Sequence, residues 1–203
     1  MRKFLLYFYV MKKYFLIAIS ICIVLSCKNN SGTSSADQHQ DTAQKEFYPI
    51  SSFIQAQVKK LDSLPLAVVK YTTINNQTDT SILEKKEFAA VAENFATPDI
   101  TAPGTKNQFE ETSFIDASIG TVTLTYLAKN DTISLRKADV LLKQDNSRVS
   151  TIYIEKKDAV VNGSKIQKIL WTADRNCQVT TLLQATGLPE KVIIERYVWD
   201  DRP

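Results

Sequence analysis

From about residue 109 onward the chain is a succession of short β-prone segments separated by turn residues, and this spacing limits what it can fold into. Thr121, Thr123 and Thr125 alternate with Val122, Leu124 and Tyr126, the two-residue period of a strand with one polar and one apolar face. Further segments of this kind run over 133–142, 149–157, 165–173, 177–184 and 191–199. The breaks between them are Lys129-Asn130-Asp131, Asp145-Asn146-Ser147, Asn162-Gly163, Asp174-Arg175-Asn176 and Gly187-Leu188-Pro189. Asn-Gly is a strong hairpin signal. Gaps this short join antiparallel neighbours, because parallel strands need crossovers of about a dozen residues or more.

Upstream the period changes. In 50–63 (ISSFIQAQVKKLDS), Ile54, Val58 and Leu61 recur at helical spacing, Ser52 and Gln55 have the spacing of a capping box, and Pro65 blocks continuation. A second helix is predicted over 84–96, with Phe88, Val91, Ala92 and Phe95 on one face and Pro98 beyond its end. Between them, 66–74 (LAVVKYTTI) reads as a strand ended by Asn75-Asn76-Gln77. The expectation is an α+β fold: two N-terminal helices packed on an antiparallel β-meander sheet of about five to seven strands, in a single domain over 46–203. A stretch of that length can bury a sizeable core without disulfides or metals.

The first 45 residues differ in kind. Phe15 to Leu25 is an apolar run of 11 residues behind Lys12-Lys13. At ~1.5 Å per residue it spans about 16 Å, well short of the ~30 Å hydrocarbon core of a bilayer. A short apolar core behind a basic flank is the pattern of a secretory signal. A second apolar stretch, Phe4 to Val10, precedes it, and one signal needs only one core, so translation starting at Met11 is the alternative to Met1. Residues 28–45 (KNNSGTSSADQHQDTAQK) hold no large apolar side chain and read as a flexible linker with a reach on the order of 20–25 Å.

The run ends in Val24-Leu25-Ser26-Cys27, followed by Lys28-Asn29-Asn30. This resembles the lipobox of bacterial lipoproteins. The resemblance implies removal of a signal peptide over 1–26, lipid attachment (a diacylglycerol and an acyl chain such as palmitate) at Cys27, and a membrane partner reached through that lipid. Several buried chains, at roughly 0.8 kcal/mol per methylene, hold a protein where one would not. In this family Asp after the cysteine retains the protein at the inner membrane. Lys28 stands there instead, which implies the outer membrane of the cell envelope, facing the periplasm, with surface display the alternative.

The formal net charge of +3 comes from this segment. Arg2, Lys3, Lys12 and Lys13 precede Cys27 without an acidic residue, and 28–203 holds 21 basic against 22 acidic residues, a net of −1. A near-neutral body has no field to gather phosphates, so nucleic acid is not an expected partner. Lys156-Lys157, flanked by Glu155 and Asp158, reads as a solvated strand end.

Catalytic chemistry finds little support. Cys22 leaves with the signal and Cys27 is acylated, so Cys177 alone remains in the body and reads as a small buried hydrophobe amid Val179, Leu182 and Leu183. The one histidine, His39, lies in the linker, which removes Cys–His pairs, histidine-based zinc sites and a Ser-His-Asp triad. Glu110-Glu111 and Asp200-Asp201 are sequence neighbours and point to opposite faces of a strand. With glycine at 32, 104, 120, 163 and 187 only, no phosphate-cradling loop exists. No catalytic residue, metal site or cofactor is expected.

Aromatic residues are the remaining candidates. Tyr153, Trp171, Tyr197 and Trp199 fall on late strands. Core packing is the commoner use of such residues. The alternative is a flat contact platform on an uncovered sheet face for an envelope protein or glycan partner, with Tyr153, Tyr197 and Trp199 as its candidate members. Trp199, beside Asp200-Asp201-Arg202, is the member expected to be exposed. The resulting expectation is a lipid-anchored, non-catalytic binding or assembly module. Its alternatives are a tethered envelope hydrolase and a carrier of apolar cargo.

Overall fold

The computed structural model describes residues 46–145 and 147–202. The signal segment, Cys22, the lipid-attachment residue Cys27 and the linker with His39 lie outside them. Nine strands form one antiparallel sheet: β1 Val68–Ile74, β2 Gln77–Leu83, β3 Phe109–Asp116, β4 Thr121–Ala128, β5 Leu135–Lys143, β6 Val149–Val160, β7 Gly163–Thr172, β8 Asn176–Ala185 and β9 Lys191–Val198. Among the described residues three helices accompany it: α1 Ile50–Ser63, α2 Lys85–Phe95 and the single turn α3 Pro103–Lys106. They hold 14, 11 and 4 residues.

This overturns the expected α+β class. The fold is a nine-stranded antiparallel sheet with a small helical share, and two helices packed on a meander of five to seven strands do not describe it. The excess comes from β2 (QTDTSIL) and β3 (FEETSFID). Both lie at sheet edges and each pairs with a single neighbour. An edge strand that buries neither face has no apolar alternation to announce it.

The strand order is β2-β1-β9-β8-β7-β6-β5-β4-β3. The late strands run as a meander from β3 to β9, and β1 then closes onto β9 with Val69 opposite Val198 and Thr73 opposite Ile194. Asn75 and Asn76 both adopt positive φ, 52° and 63°, and join β1 to β2 as a two-residue loop. Two left-handed residues in such a loop match the twist of the flanking strands, and asparagine tolerates that conformation. Because β2 and β3 are opposite edges, the segment joining them, which contains α2, must cross the sheet.

Directly opposed residues share a face, so register sorts the sheet into two sides. An inner row runs Val140, Ile152, Trp171, Cys177 and Tyr197, and every member is at most 1% exposed. Ile50, Ile54 and Leu61 of α1 and Phe88, Ala92 and Phe95 of α2 belong to the same buried cluster. The outer row one residue along reads Asp139, Tyr153, Leu170, Gln178, Arg196 and Tyr71.

Local details also depart from expectation. The Ser52–Gln55 capping box does not form: Pro49 precedes α1 without a side-chain cap. Ser51 next to it donates from Oγ to the Ala96 carbonyl at 2.9 Å, tying α1 to the end of α2. Reciprocal capping occurs at α2 instead, between Glu84 and Glu87. Lys156 is not a strand end, since β6 continues to Val160; its Nζ donates to the Asn94 carbonyl at 2.8 Å, near the end of α2. A cation near a helix C-terminus complements the carbonyls there.

Gly163 owes its identity to a close approach. A Cβ there would fall 1.9 Å from the Gln184 carbonyl oxygen. The Asn162-Gly163 signal therefore marks a hairpin in which Asn162 takes the left-handed conformation, φ 58°, and glycine admits the backbone of β8.

Candidate functional site

The proposed aromatic platform does not assemble. Tyr197 and Trp199 are 1% and 7% exposed, so Trp199 is not the exposed member. They form a buried cluster with Phe88 of α2 and Trp171 of β7. Phe88 lies 5.5 Å from Tyr197 and 5.3 Å from Trp199, centroid to centroid, and Trp171 lies 5.3 Å from Trp199. These separations are those of packed aromatic pairs. Burial, and then the nearby Glu195 carboxylate, raise the Tyr197 phenol above its ordinary range.

Tyr153 alone of the three faces outward. It is half-buried, and its hydroxyl donates to Glu155 Oε2 at 2.9 Å. Burial first, and that hydrogen bond second, push its pKa up to about 12. Lys137 Nζ sits 6.0 Å from the ring centroid and 2.8 Å from Asp139.

Through the register, Tyr153 is one end of an outer-face strip that sequence reasoning did not assemble. Leu170, Gln178, Arg196 and Tyr71 follow it on successive strands, so Tyr153 and Tyr71 stand four strand spacings apart, about 19 Å at ~4.8 Å each. Tyr71 is 37% and Leu170 42% exposed. At the Tyr71 end the surface sinks into a depression of about 470 Å³ lined by Tyr71, Thr73, Gln178, Arg196, Val198 and Asp201, among others. Arg196 is exposed and forms no ion pair among the described residues. The Thr73 and Thr78 hydroxyls share a hydrogen bond at 2.8 Å. A ring face, a guanidinium, an amide and hydroxyls on one surface suit reversible binding of a polar ligand or a protein surface. Parity within each strand carried this strip in the sequence, but the strand order that aligns β1 with β9 did not.

A second concavity, about 490 Å³, lies between α1 and α2 over Ile54, Val58, Ala89 and Ala92. One of its rim cations is already engaged: Lys85 Nζ donates to the carbonyls of Asp62 and Leu64, at 3.1 and 2.5 Å, closing the end of α1.

Nucleophilic chemistry has poor footing. The Cys177 thiol is fully buried beside Trp171 and Tyr197, and burial pushes its pKa far above the ordinary range, so thiolate does not form there. Glu110 and Glu111 point to opposite faces of β3, as strand neighbours must. Asp200 is held by Arg202, whose guanidinium donates to both of its carboxylate oxygens at 2.6–2.8 Å and lowers its pKa to about 2. Among the described residues no group of three or more His, Cys, Asp or Glu is placed to hold a metal ion, and no helix is long and apolar enough to cross a membrane. In comparisons with known proteins, no family model, curated protein or solved structure matches this chain.

Proposed function

We propose that this chain is a lipid-anchored protein of a bacterial cell envelope, held at the membrane through Cys27, that acts as a non-catalytic binding module through the outer face of its sheet. The anchor rests on Val24-Leu25-Ser26-Cys27 behind a short apolar run. Lys28 after the cysteine favours the outer membrane. The observation that carries the binding role is the strip Tyr71–Arg196–Gln178–Leu170–Tyr153, solvent-facing on a sheet whose other side is packed against helices. A partner protein or a glycan of the envelope fits it, since the ring faces offer apolar contact and the groups between them offer directional hydrogen bonds. The same packing counts against a carrier of apolar cargo: Phe88, Trp171, Tyr197 and Trp199 fill the space above the inner face where cargo would sit.

Two measurements test the reading separately. Cys27→Ser is expected to abolish labelling by a fatty-acid analogue and release the protein from membranes; persistent labelling would remove the anchor. Crosslinking in intact cells is expected to trap a partner with the native chain and to lose it in the double variant Tyr71→Ala, Arg196→Glu. Unchanged adducts in that variant would take the binding role away from the outer face.

A further inference from the structure

The two edges of the sheet are open to different degrees. Edge strands present unpaired backbone N–H and C=O groups, and stable proteins blunt them with charge, shortness or cover. The edge at β2 is polar over Thr78-Asp79-Thr80-Ser81, and its strongly exposed apolar side chain, Ile82 at 77%, stands on the outer face alone. At β3 the strand is 8 residues long, and its second half places Phe114 on the outer face and Ile115 on the inner face, 65% and 60% exposed. A strand docked beside β3 would complete the backbone hydrogen bonds and bury an apolar side chain on both sheet faces at once, the mode by which extended peptides add to a sheet edge.

Charge says what kind of strand. β3 contains Glu110, Glu111 and Asp116 and no basic residue. Glu110 is exposed on the outer face, and Asp116, its carboxylate accepting from the Ser118 N–H and hydroxyl, is kept ionised below the usual carboxylate range. A second copy pairing over 110–116 about a two-fold axis would set Glu110 opposite Asp116, like charge against like, and pairing over 109–115 would set Glu110 against Phe114. The β2 edge of another copy would bring Asp79 and no base. Acidic residues on either side of an exposed apolar pair call instead for a partner with the reverse pattern.

We propose that β3 is a strand-accepting edge for an extended polypeptide segment with apolar residues at its centre and lysine or arginine at its ends. This surface is distinct from the outer-face strip and does not depend on it.

The test uses the full chain and two synthetic peptides of the same length, Lys-Ile-Val-Thr-Thr-Lys-Lys and Glu-Ile-Val-Thr-Thr-Glu-Glu, with amide hydrogen exchange as the readout. At about ten times its dissociation constant the basic peptide is expected to slow exchange of solvent-facing amides over 109–116 about tenfold. Exchange over 77–83 stays unchanged, the acidic peptide has no effect, and added salt weakens the protection. The paired reversal Glu110→Lys, Asp116→Lys changes one exposed and one half-buried side chain of the edge, leaves the fold intact by circular dichroism, and transfers the preference to the acidic peptide. Absence of protection at β3, equal protection by both peptides, or protection confined to β2 would overturn the proposal. So would β3 amides that become protected in a concentration-dependent dimer without peptide, which would assign the edge to a second copy.

Discussion

Leu170 and Trp171 are consecutive residues of β7 with opposite fates. Leu170 is 42% exposed on the outer face between Tyr153 and Gln178; Trp171 is fully buried between Ile152 and Cys177. Large size and apolar character do not separate them; parity along the strand and the side on which the helices lie do. The inner face is where stability resides, and the outer face is where change is tolerated and contact can occur.

The sharpest way to break this contrast is substitution of the two neighbours. Trp171→Ala removes the ring against which Phe88 and Trp199 pack and is expected to cost about 3–5 kcal/mol, read as a fall in the denaturant midpoint. Leu170→Ala, one position earlier, is expected to cost under about 1 kcal/mol. Equal losses would mean that the outer face is packed against something after all. A smaller backbone effect comes next. Gly163→Ala forces a Cβ toward the Gln184 carbonyl and is expected to cost about 1–3 kcal/mol as β7 and β8 move apart, with faster amide exchange confined to the 160–163 and 184–186 ends of the hairpins.

Titration offers a test that spans both faces. Tyr126, whose hydroxyl accepts the Tyr48 N–H at 2.8 Å, is raised to about 12 chiefly by burial, and Tyr153 on the outer side also reaches about 12. Each folded pKa lies above the unfolded value of about 10. The stabilisation they bring is therefore complete below pH about 10 and disappears as pH climbs from there to about 12. Denaturant midpoints are expected to begin falling as pH passes about 8.5, where the thiol of Cys177 ionises in the unfolded chain but not in its buried site, and to fall more steeply above pH about 10, in step with the phenolate absorbance. In Tyr153→Phe the fall should be shallower, with Tyr126, Tyr197 and Tyr48, all raised by burial, and the buried Cys177 thiol supplying what remains.

Much of the framework was readable in the chain, and the failures have physical causes. The helix expected over 50–63 is Ile50–Ser63, and Asn-Gly and Asn-Asn marked real reversals. The edge strands β2 and β3 were not delimited because, beyond the buried Phe109, solvent on both faces leaves no pattern. The β1–β9 pairing joins residues 119 to 129 positions apart, and no local period encodes it. The same gap hid the site. Tyr153 could be nominated from its own strand, but Tyr71 and Arg196 become its companions only once β1 is laid beside β9. Trp199 was misread because a neighbouring run of charges suggested solvent. In fact Asp200 and Arg202 pair with each other, and the indole turns inward onto Phe88.

The smallest expected effect concerns the contacts at the rim between the two faces. Lys60 of α1 meets Asp174 of the β7–β8 turn at 2.8 Å, and the Asp174 N–H donates to Gln57 Oε1 at 2.7 Å. The ion pair is the more conspicuous of these contacts but the less consequential, because its side chains are 56% and 53% exposed. Water and salt screen such a pair, and holding two mobile side chains together costs entropy. A double-mutant cycle with Lys60→Met and Asp174→Ala is expected to give a coupling of about 0.2–1 kcal/mol that vanishes in high salt. Gln57→Ala should cost about 1 kcal/mol and keep that cost in salt, since it leaves the Asp174 N–H without its protein acceptor. A salt-resistant coupling larger than the Gln57 effect would show that α1 is fastened to the sheet by charge at its rim, and that packing beneath it is not the dominant link.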